Sequence, residues 1–177
     1  MAEKADNDII TLTPIGWIKN TIEKPSFSPD GTIDTEERKR QVRERYKTIK
    51  QSVSELEIDP EYDDLLDGVD AFSHILVLYW PHRLKKGDRA LRKVNPMGRK
   101  DIPEQGIFAT RSPARPNPVL VSVVKLLERK ENVLLVQGLD ALNGSPVLDI
   151  KPIVREHEGI ESPRFPDWIK EIHKDLE

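Results

Sequence analysis

The stretch VLVSVVKLLERKENVLLVQGL (residues 119–139) decides the fold. Two apolar runs rich in β-branched residues, Val119–Leu127 and Asn132–Leu139, flank Lys130-Glu131-Asn132, so they read as two strands joined by a hairpin turn. Just downstream, Asn143-Gly144 is a strong turn signal, and Pro146–Ile150 follows as a shorter strand. Upstream, FSHILVLYW (Phe72–Trp80) is the most apolar segment and reads as a central strand ended by Pro81. Gly106–Thr110 reads as another strand, and residues 82–105 as a long polar loop. Ile9–Trp17 (IITLTPIGW) reads as a strand pair interrupted at Pro14. Short strands at hairpin spacing, with few helices between them, predict a mainly β fold: a small antiparallel β-barrel. A parallel doubly wound sheet would need alternating helices and a glycine-rich first turn, and neither is present.

Two helices complete the prediction. PSFSPDG (25–31) is turn chemistry, and Asp34 with Glu37 has the spacing of a capping box. A basic helix is expected from there to about Gln51 as an insertion after the first strand, followed by a strand to Ile58. Val42, Tyr46, Ile49, Val53 and Leu56 step as one longer helix would. Against that, Ser52-Val53-Ser54 propagates helix poorly, and residues 54–58 alternate like a strand. Pro60–Leu66 reads as a short helical turn stopped by Gly68. A C-terminal helix from Pro166 places Trp168, Ile169, Ile172 and Leu176 on one face. The expected organisation is a barrel domain over 8–155, carrying the helical insertion at 34–51, and a C-terminal extension over 156–177.

The 177 residues are about one domain's worth, since domains run to roughly 100–200 residues. A formal charge of −3 argues against a uniformly basic nucleic-acid binder and leaves room for a local basic patch. With no cysteine there is no disulfide, thiolate metal site or cysteine nucleophile. No apolar run approaches the ~18 residues a membrane helix needs, and Met1-Ala2-Glu3-Lys4 does not open a signal peptide. A cytoplasmic protein without membrane contact is expected. Proline is abundant, 14 against 9 glycines, and marks the loops.

The densest chemical signal is Arg-Ser-Pro-Ala-Arg-Pro-Asn-Pro at 111–118. Its three prolines lock their own φ and push Ser112, Arg115 and Asn117 into extended backbone, so the loop loses little entropy on binding. It would hold out Arg111, Arg115 and Asn117 as donors, or serve only as a rigid connector with solvated arginines. A second candidate is the Gly138–Pro146 turn, whose amides and Asp140 suit a small polar ligand, although an ordinary hairpin turn would look the same. His74 and His82 stand about 26 Å apart along a strand at ~3.3 Å per residue, so no metal site is expected. His82-Arg83, just past a strand end, sits where barrel mouths place functional groups. The helix from Asp34 carries Arg38, Lys39, Arg40, Arg43, Arg45 and Lys47, which could contact phosphates or form a solvated face.

FATRSPARPNP (108–118), SVVKLL (122–127), GLDALNGSPVLDIKP (138–152) and LDGVDAFSHILVLYWPH (66–82) together resemble the TrmO-type, or TsaA-like, family of β-barrel S-adenosylmethionine-dependent tRNA methyltransferases. Four separated motifs in the right order carry this resemblance, which spans roughly residues 12–19 and 53–154. It implies a barrel that forms a homodimer, with S-adenosyl-L-methionine bound near the subunit interface. It also implies methyl transfer to N6 of threonylcarbamoyl-adenosine at tRNA position 37. Carried over motif by motif, the cofactor would contact His82, Arg83, Arg111, Val121, Asp140, Ala141, Leu142 and Asn143. Arg115 and Asn117 would position the acceptor or the neighbouring chain. The sequence departs from the family pattern at Ala114, Val119-Leu120 and Asn143, and the family's Pro-Arg-Gln stretch is replaced by PSFSPDGT and the basic helix.

Methyl transfer to an amide-like N6 needs in-line placement and removal of a proton, which calls for a base. Asp149 and His82 are the candidates. Two other readings stay open: a methyltransferase acting on a small molecule, and a non-catalytic S-adenosylmethionine-binding module.

Overall fold

The computed structural model describes residues 10–25, 34–154 and 162–176. Six antiparallel strands close a barrel, as the hairpin spacing predicted. They are β1 (Gly16–Lys19), β2 (Val53–Ile58), β3 (His74–Tyr79), β6 (Leu120–Lys130), β7 (Val133–Gln137) and β8 (Pro146–Pro152), in the closed order β1-β2-β7-β6-β3-β8. The remaining two, β4 (Lys93–Val94) and β5 (Gln105–Gly106), form a separate small ladder. Alternation sends Leu56 and Ile58, Ile75 and Val77, and Leu134 and Val136 inward, where they meet Ile18, Val124, Val147 and Leu139 in one core. The 119–139 hairpin forms as expected, with Glu131 at φ 51° in its turn.

The N-terminal strand is shorter than predicted. Ile9 and the 26–31 part of the expected turn lie outside the described residues. Within 10–17 only Gly16 and Trp17 enter a strand, because Pro14 has no amide to donate and the side chains of Ile10 and Leu12 stay in solvent. At Gly16, β1 runs so close to β2 that any Cβ would collide with the Glu57 carbonyl.

Helix α1 (Thr35–Gln51) starts where the capping signal placed it. Asp34 Oδ1 accepts the amides of Glu36 at 2.8 Å and Glu37 at 3.4 Å, an arrangement worth about 1 kcal/mol. The Glu37 carboxylate turns instead to Arg40 and Gln41. Ser52 ends the helix: its backbone becomes extended and its hydroxyl donates to the Ile49 carbonyl. Arg38, Val42 and Ile49 form the buried stripe of α1. The C-terminal helix α2 (Asp167–Leu176) packs on α1 through buried Ile172, with Trp168, Ile169 and Leu176 partly covered, as the periodicity required.

Two readings of the long connection are corrected. Gly106–Thr110 is not a strand. After Gly106 the chain turns at Ile107–Ala109, because the Thr110 amide and hydroxyl both donate to the Ile107 carbonyl. Residues 82–105 are not a featureless loop either. They hold two short helical turns, Lys86–Ala90 and Pro96–Gly98, together with β4. Buried Ile102 and the buried Arg99 guanidinium, paired with Asp101 at 2.6 Å and with Asp175 of α2, fix this connection in place. Among the described residues no helix is long and apolar enough to cross a membrane.

Candidate functional site

Three connections meet at one end of the barrel: Pro81–Arg83 after β3, Arg111–Pro118 before β6, and Leu139–Ser145 between β7 and β8. The last is shaped by burial. Leu139 and Ala141 point into the core, Asp140 is thrown outward, and Gly144 takes φ 76°, a left-handed conformation that costs glycine little. Ala141 can therefore offer a ligand only its backbone, and its carbonyl already accepts from Asn20 Nδ2 at 3.0 Å.

Tyr79 ties the end of β3 to this turn. Its hydroxyl donates to the Asp140 carbonyl at 2.7 Å and lies 3.4 Å from the Ser122 hydroxyl. Burial pushes the phenol up to about 12, so it remains a neutral donor. Asp140 and Arg111 both act electrostatically on Tyr79, and Arg111 Nη2 donates to the Val121 carbonyl at 3.1 Å. The Asp140 carbonyl is thus bound by Tyr79, and Arg111 is bound to Val121 on the neighbouring strand.

His82 and Arg83 close the other side. His82 Nδ1 shares a 3.2 Å hydrogen bond with the buried Ser145 hydroxyl. Loss of hydration, then the neighbouring Arg83 charge, holds the imidazole below its ordinary pKa, so it is neutral at pH 7. Arg83 reaches Glu23, with Nη1 on the backbone carbonyl and Nη2 on the carboxylate at 3.0 Å. The second oxygen of that carboxylate accepts from Asn143 Nδ2 at 2.9 Å. Asn143 also takes the Asn20 amide on its side-chain oxygen at 3.2 Å and donates its own amide to the Ile22 carbonyl at 2.8 Å.

Of the predicted cofactor residues, His82, Arg83, Arg111, Val121, Asp140 and Asn143 converge here, with Ala141 and Leu142 in the same turn. The predicted acceptor residues behave differently. Arg115 folds back on its own loop, donating to the carbonyls of Ser112 at 3.1 Å, Thr110 at 2.6 Å and Ile107 at 3.3 Å. Asn117 stays exposed at the loop tip. Asp149 sits on β8 opposite Leu78, which separates it from Val121 by two strand spacings, about 10 Å. Its carboxylate is held by Lys151 at 2.7 Å.

Glu23 and Asn20 were missed in the sequence. Neither belongs to a motif or a periodic pattern, and only the barrel brings them to partners more than a hundred residues away. The charges of α1 also proved largely engaged: Lys39 with Glu36, Arg40 with Glu37, Arg43 with the Asp175 carbonyl and Lys50 over the Tyr46 ring.

A closed antiparallel barrel with polar, charge-bearing connections gathered at one mouth places the chain among the small closed β-barrels. A family model described as "tRNA-methyltransferase O N-terminal domain" matches residues 35–158, and the chain belongs to that family. Over 157 residues it is 41% identical to a probable S-adenosyl-L-methionine-binding protein of Methanothermobacter thermautotrophicus, covering 88% of this chain and 96% of that one. The human tRNA (adenine(37)-N6)-methyltransferase is 35% identical over 109 residues, 61% of this chain and 24% of the human protein. A crystal structure of TrmO superposes with a TM-score of 0.64 at 29% identity, covering 89% of this chain. A TrmO structure from Pseudomonas aeruginosa gives 0.62 at 26%, covering 88%. The chain spans 63% and 61% of those two TrmO chains.

Proposed function

We propose that the protein is an S-adenosylmethionine-dependent tRNA methyltransferase whose acceptor is N6 of threonylcarbamoyl-adenosine at position 37. The observation that carries this reading is the convergence of His82, Arg83, Arg111, Val121, Asp140 and Asn143 at one barrel mouth, in a chain of this family.

The donor set fits the cofactor chemically. Carboxylates at Asp140 and Glu23 suit its cationic and hydroxyl groups, guanidinium groups at Arg83 and Arg111 suit its carboxylate, and the 139–145 turn offers backbone groups to an adenine edge. When bound, S-adenosylmethionine supplies an electrophilic methyl group. The chain supplies a framed mouth, fixed by Tyr79 and Asn20, and a neutral imidazole at His82 that can accept the proton leaving the acceptor nitrogen. Asp149, neutralised by Lys151 and set outside the mouth, is the weaker candidate base. Arg115 positions the 111–118 loop, and Asn117 faces the acceptor side.

Self-association into a homodimer belongs to the same reading. Leu76, Leu78, Val121 and Val123 form a contiguous outward patch on β3 and β6, with Val123 55% exposed. Light scattering is expected to give twice the chain mass.

The decisive experiment is mass spectrometry of tRNA nucleosides from cells with and without the gene. Loss of the methyl group from the threonylcarbamoyl-adenosine is the expected result, and its persistence with no other enzyme supplying it rejects the acceptor. One observation favours a small-molecule acceptor instead: Lys39 and Arg40 of α1 pair with Glu36 and Glu37 of the same helix, which reduces the positive charge it offers to phosphates. Affinity for tRNA that does not fall with salt would support that alternative.

A further inference from the structure

Segment 83–93 leads away from the barrel mouth and carries six cations, Arg83, Lys85, Lys86, Arg89, Arg92 and Lys93, against one acid, Asp88. Arg83 is engaged by Glu23, and Arg89 lies over the Trp80 ring at 5.0 Å. Lys85, Lys86, Arg92 and Lys93 are exposed, and no ion pair among the described residues neutralises them. In α1, by contrast, Lys39 and Arg40 pair with acids one turn away.

The chain comes back to this segment before it re-enters the mouth. Lys93 pairs with Gly106 in the small ladder, and the Ile107 amide donates to the Arg92 carbonyl at 2.9 Å. Next in the chain stands Phe108, 82% exposed, more than any other described aromatic. Single exposed apolar side chains are ordinary, but this one stands on a turn fixed at both ends. Ile107 is buried, and its carbonyl accepts from the Thr110 amide and hydroxyl and from Arg115 at 3.3 Å. A ring that stands clear of the surface on backbone needing no further ordering is a stacking platform. Arg111, at the mouth, follows three residues later, at most about 11 Å along the chain. That is the depth of about three base steps at ~3.4 Å each.

A duplex hides the faces of its bases, whereas an unpaired base offers one to an aromatic ring, and cations beside it meet phosphates of the same strand. A second copy of the chain fits this face poorly, because a two-fold contact would set the four free cations against themselves. We infer that Phe108 stacks an unpaired nucleobase close to the methylated one, with Lys85, Lys86, Arg92 and Lys93 holding phosphates of that strand. The inference deepens the tRNA reading and rests on it.

Fluorescence anisotropy of the whole chain with two labelled probes tests it: an RNA stem-loop with an unpaired loop, and a blunt RNA duplex with the same number of phosphates. Phe108→Ala is expected to weaken the stem-loop by about tenfold and leave the duplex unchanged, and Phe108→Trp should keep the affinity. Lys93→Gln should weaken both probes alike and lower the slope of log affinity against log salt by about one. Calorimetry with S-adenosylmethionine and the mass by light scattering should be the same in every variant. Equal weakening of both probes by Phe108→Ala, or of neither, overturns the stacking role and leaves tRNA intact as the acceptor. A Phe108→Ala chain that loses its dimer mass places the ring between two copies and overturns it as well. Wild type that binds neither probe rejects tRNA as the acceptor, and this surface with it.

Discussion

The two connections 111–118 and 139–145, which meet at the barrel mouth, are held rigid in opposite ways. The first is held by its own residues and those that flank it in the chain. Three prolines fix its backbone, Ser112 and Thr110 hydroxyls accept nearby amides, and Arg115 curls back onto three carbonyls between Ile107 and Ser112. The second is held from outside, by Asn20 beyond β1, Tyr79 of β3, His82 and Glu23. A loop stiffened mainly by sequence-local bonds, with Arg111 reaching no further than the start of β6, can be altered with little effect on distant strands. A turn stiffened by distant strands transmits every change in them to whatever binds there.

The sharpest way to break this contrast is Arg115→Ala. Three carbonyls lose a charged donor, at roughly 1.5–3 kcal/mol for a hydrogen bond to a charged group. A melting temperature lower by several degrees is expected, with faster amide exchange confined to 107–118. Exchange that spreads equally into 139–145 would show the two connections to be one unit. Asn20→Ala should do the reverse at about 1–2 kcal/mol, since it frees the Ala141 carbonyl and the Ser54 hydroxyl. Its accelerated exchange should appear at 139–145, with 111–118 unchanged.

Tyr79→Phe is a smaller perturbation, about 1 kcal/mol, because the hydroxyl's bond to the Asp140 carbonyl and its long contact with Ser122 are lost while the ring keeps its packing. Denaturant titration measures the change, and weakened donor binding should accompany it. The smallest expected effect is on pH. His82 is held below its ordinary value of 6.5, so the imidazole stays neutral above pH 6.5 and protonates only as pH falls beneath it. Transfer rate should be flat above pH 6.5, decline below it, and lose that limb in His82→Gln. An unchanged acidic limb in the variant would assign the proton to another group.

Much of this frame was legible in the sequence because it depends on local pattern. Residues 119–139 alternate and turn where they do in the fold. Asp34 and Ser52 bracket α1 through bonds to amides and carbonyls within four residues. The misreadings share a cause. Ile107-Phe108 has strand-like composition, but Thr110 captures the Ile107 carbonyl and turns the chain first. Arg115 was expected to reach outward, since the prolines fix its backbone, but a guanidinium on a long stem can double back onto the same loop. Glu23 could not be read at all: its meaning comes from Arg83 and Asn143, which only barrel closure brings near.

That closure has a consequence of its own. Strand β1 has four residues and registers against β8 only at Gly16–Val147 and Trp17–Pro146. Asn20 and Glu23 follow directly from its end. The same short staple that completes the cylinder therefore carries one side of the barrel mouth. Opening of this two-pair seam would displace Asn20 and Glu23 together with the strand.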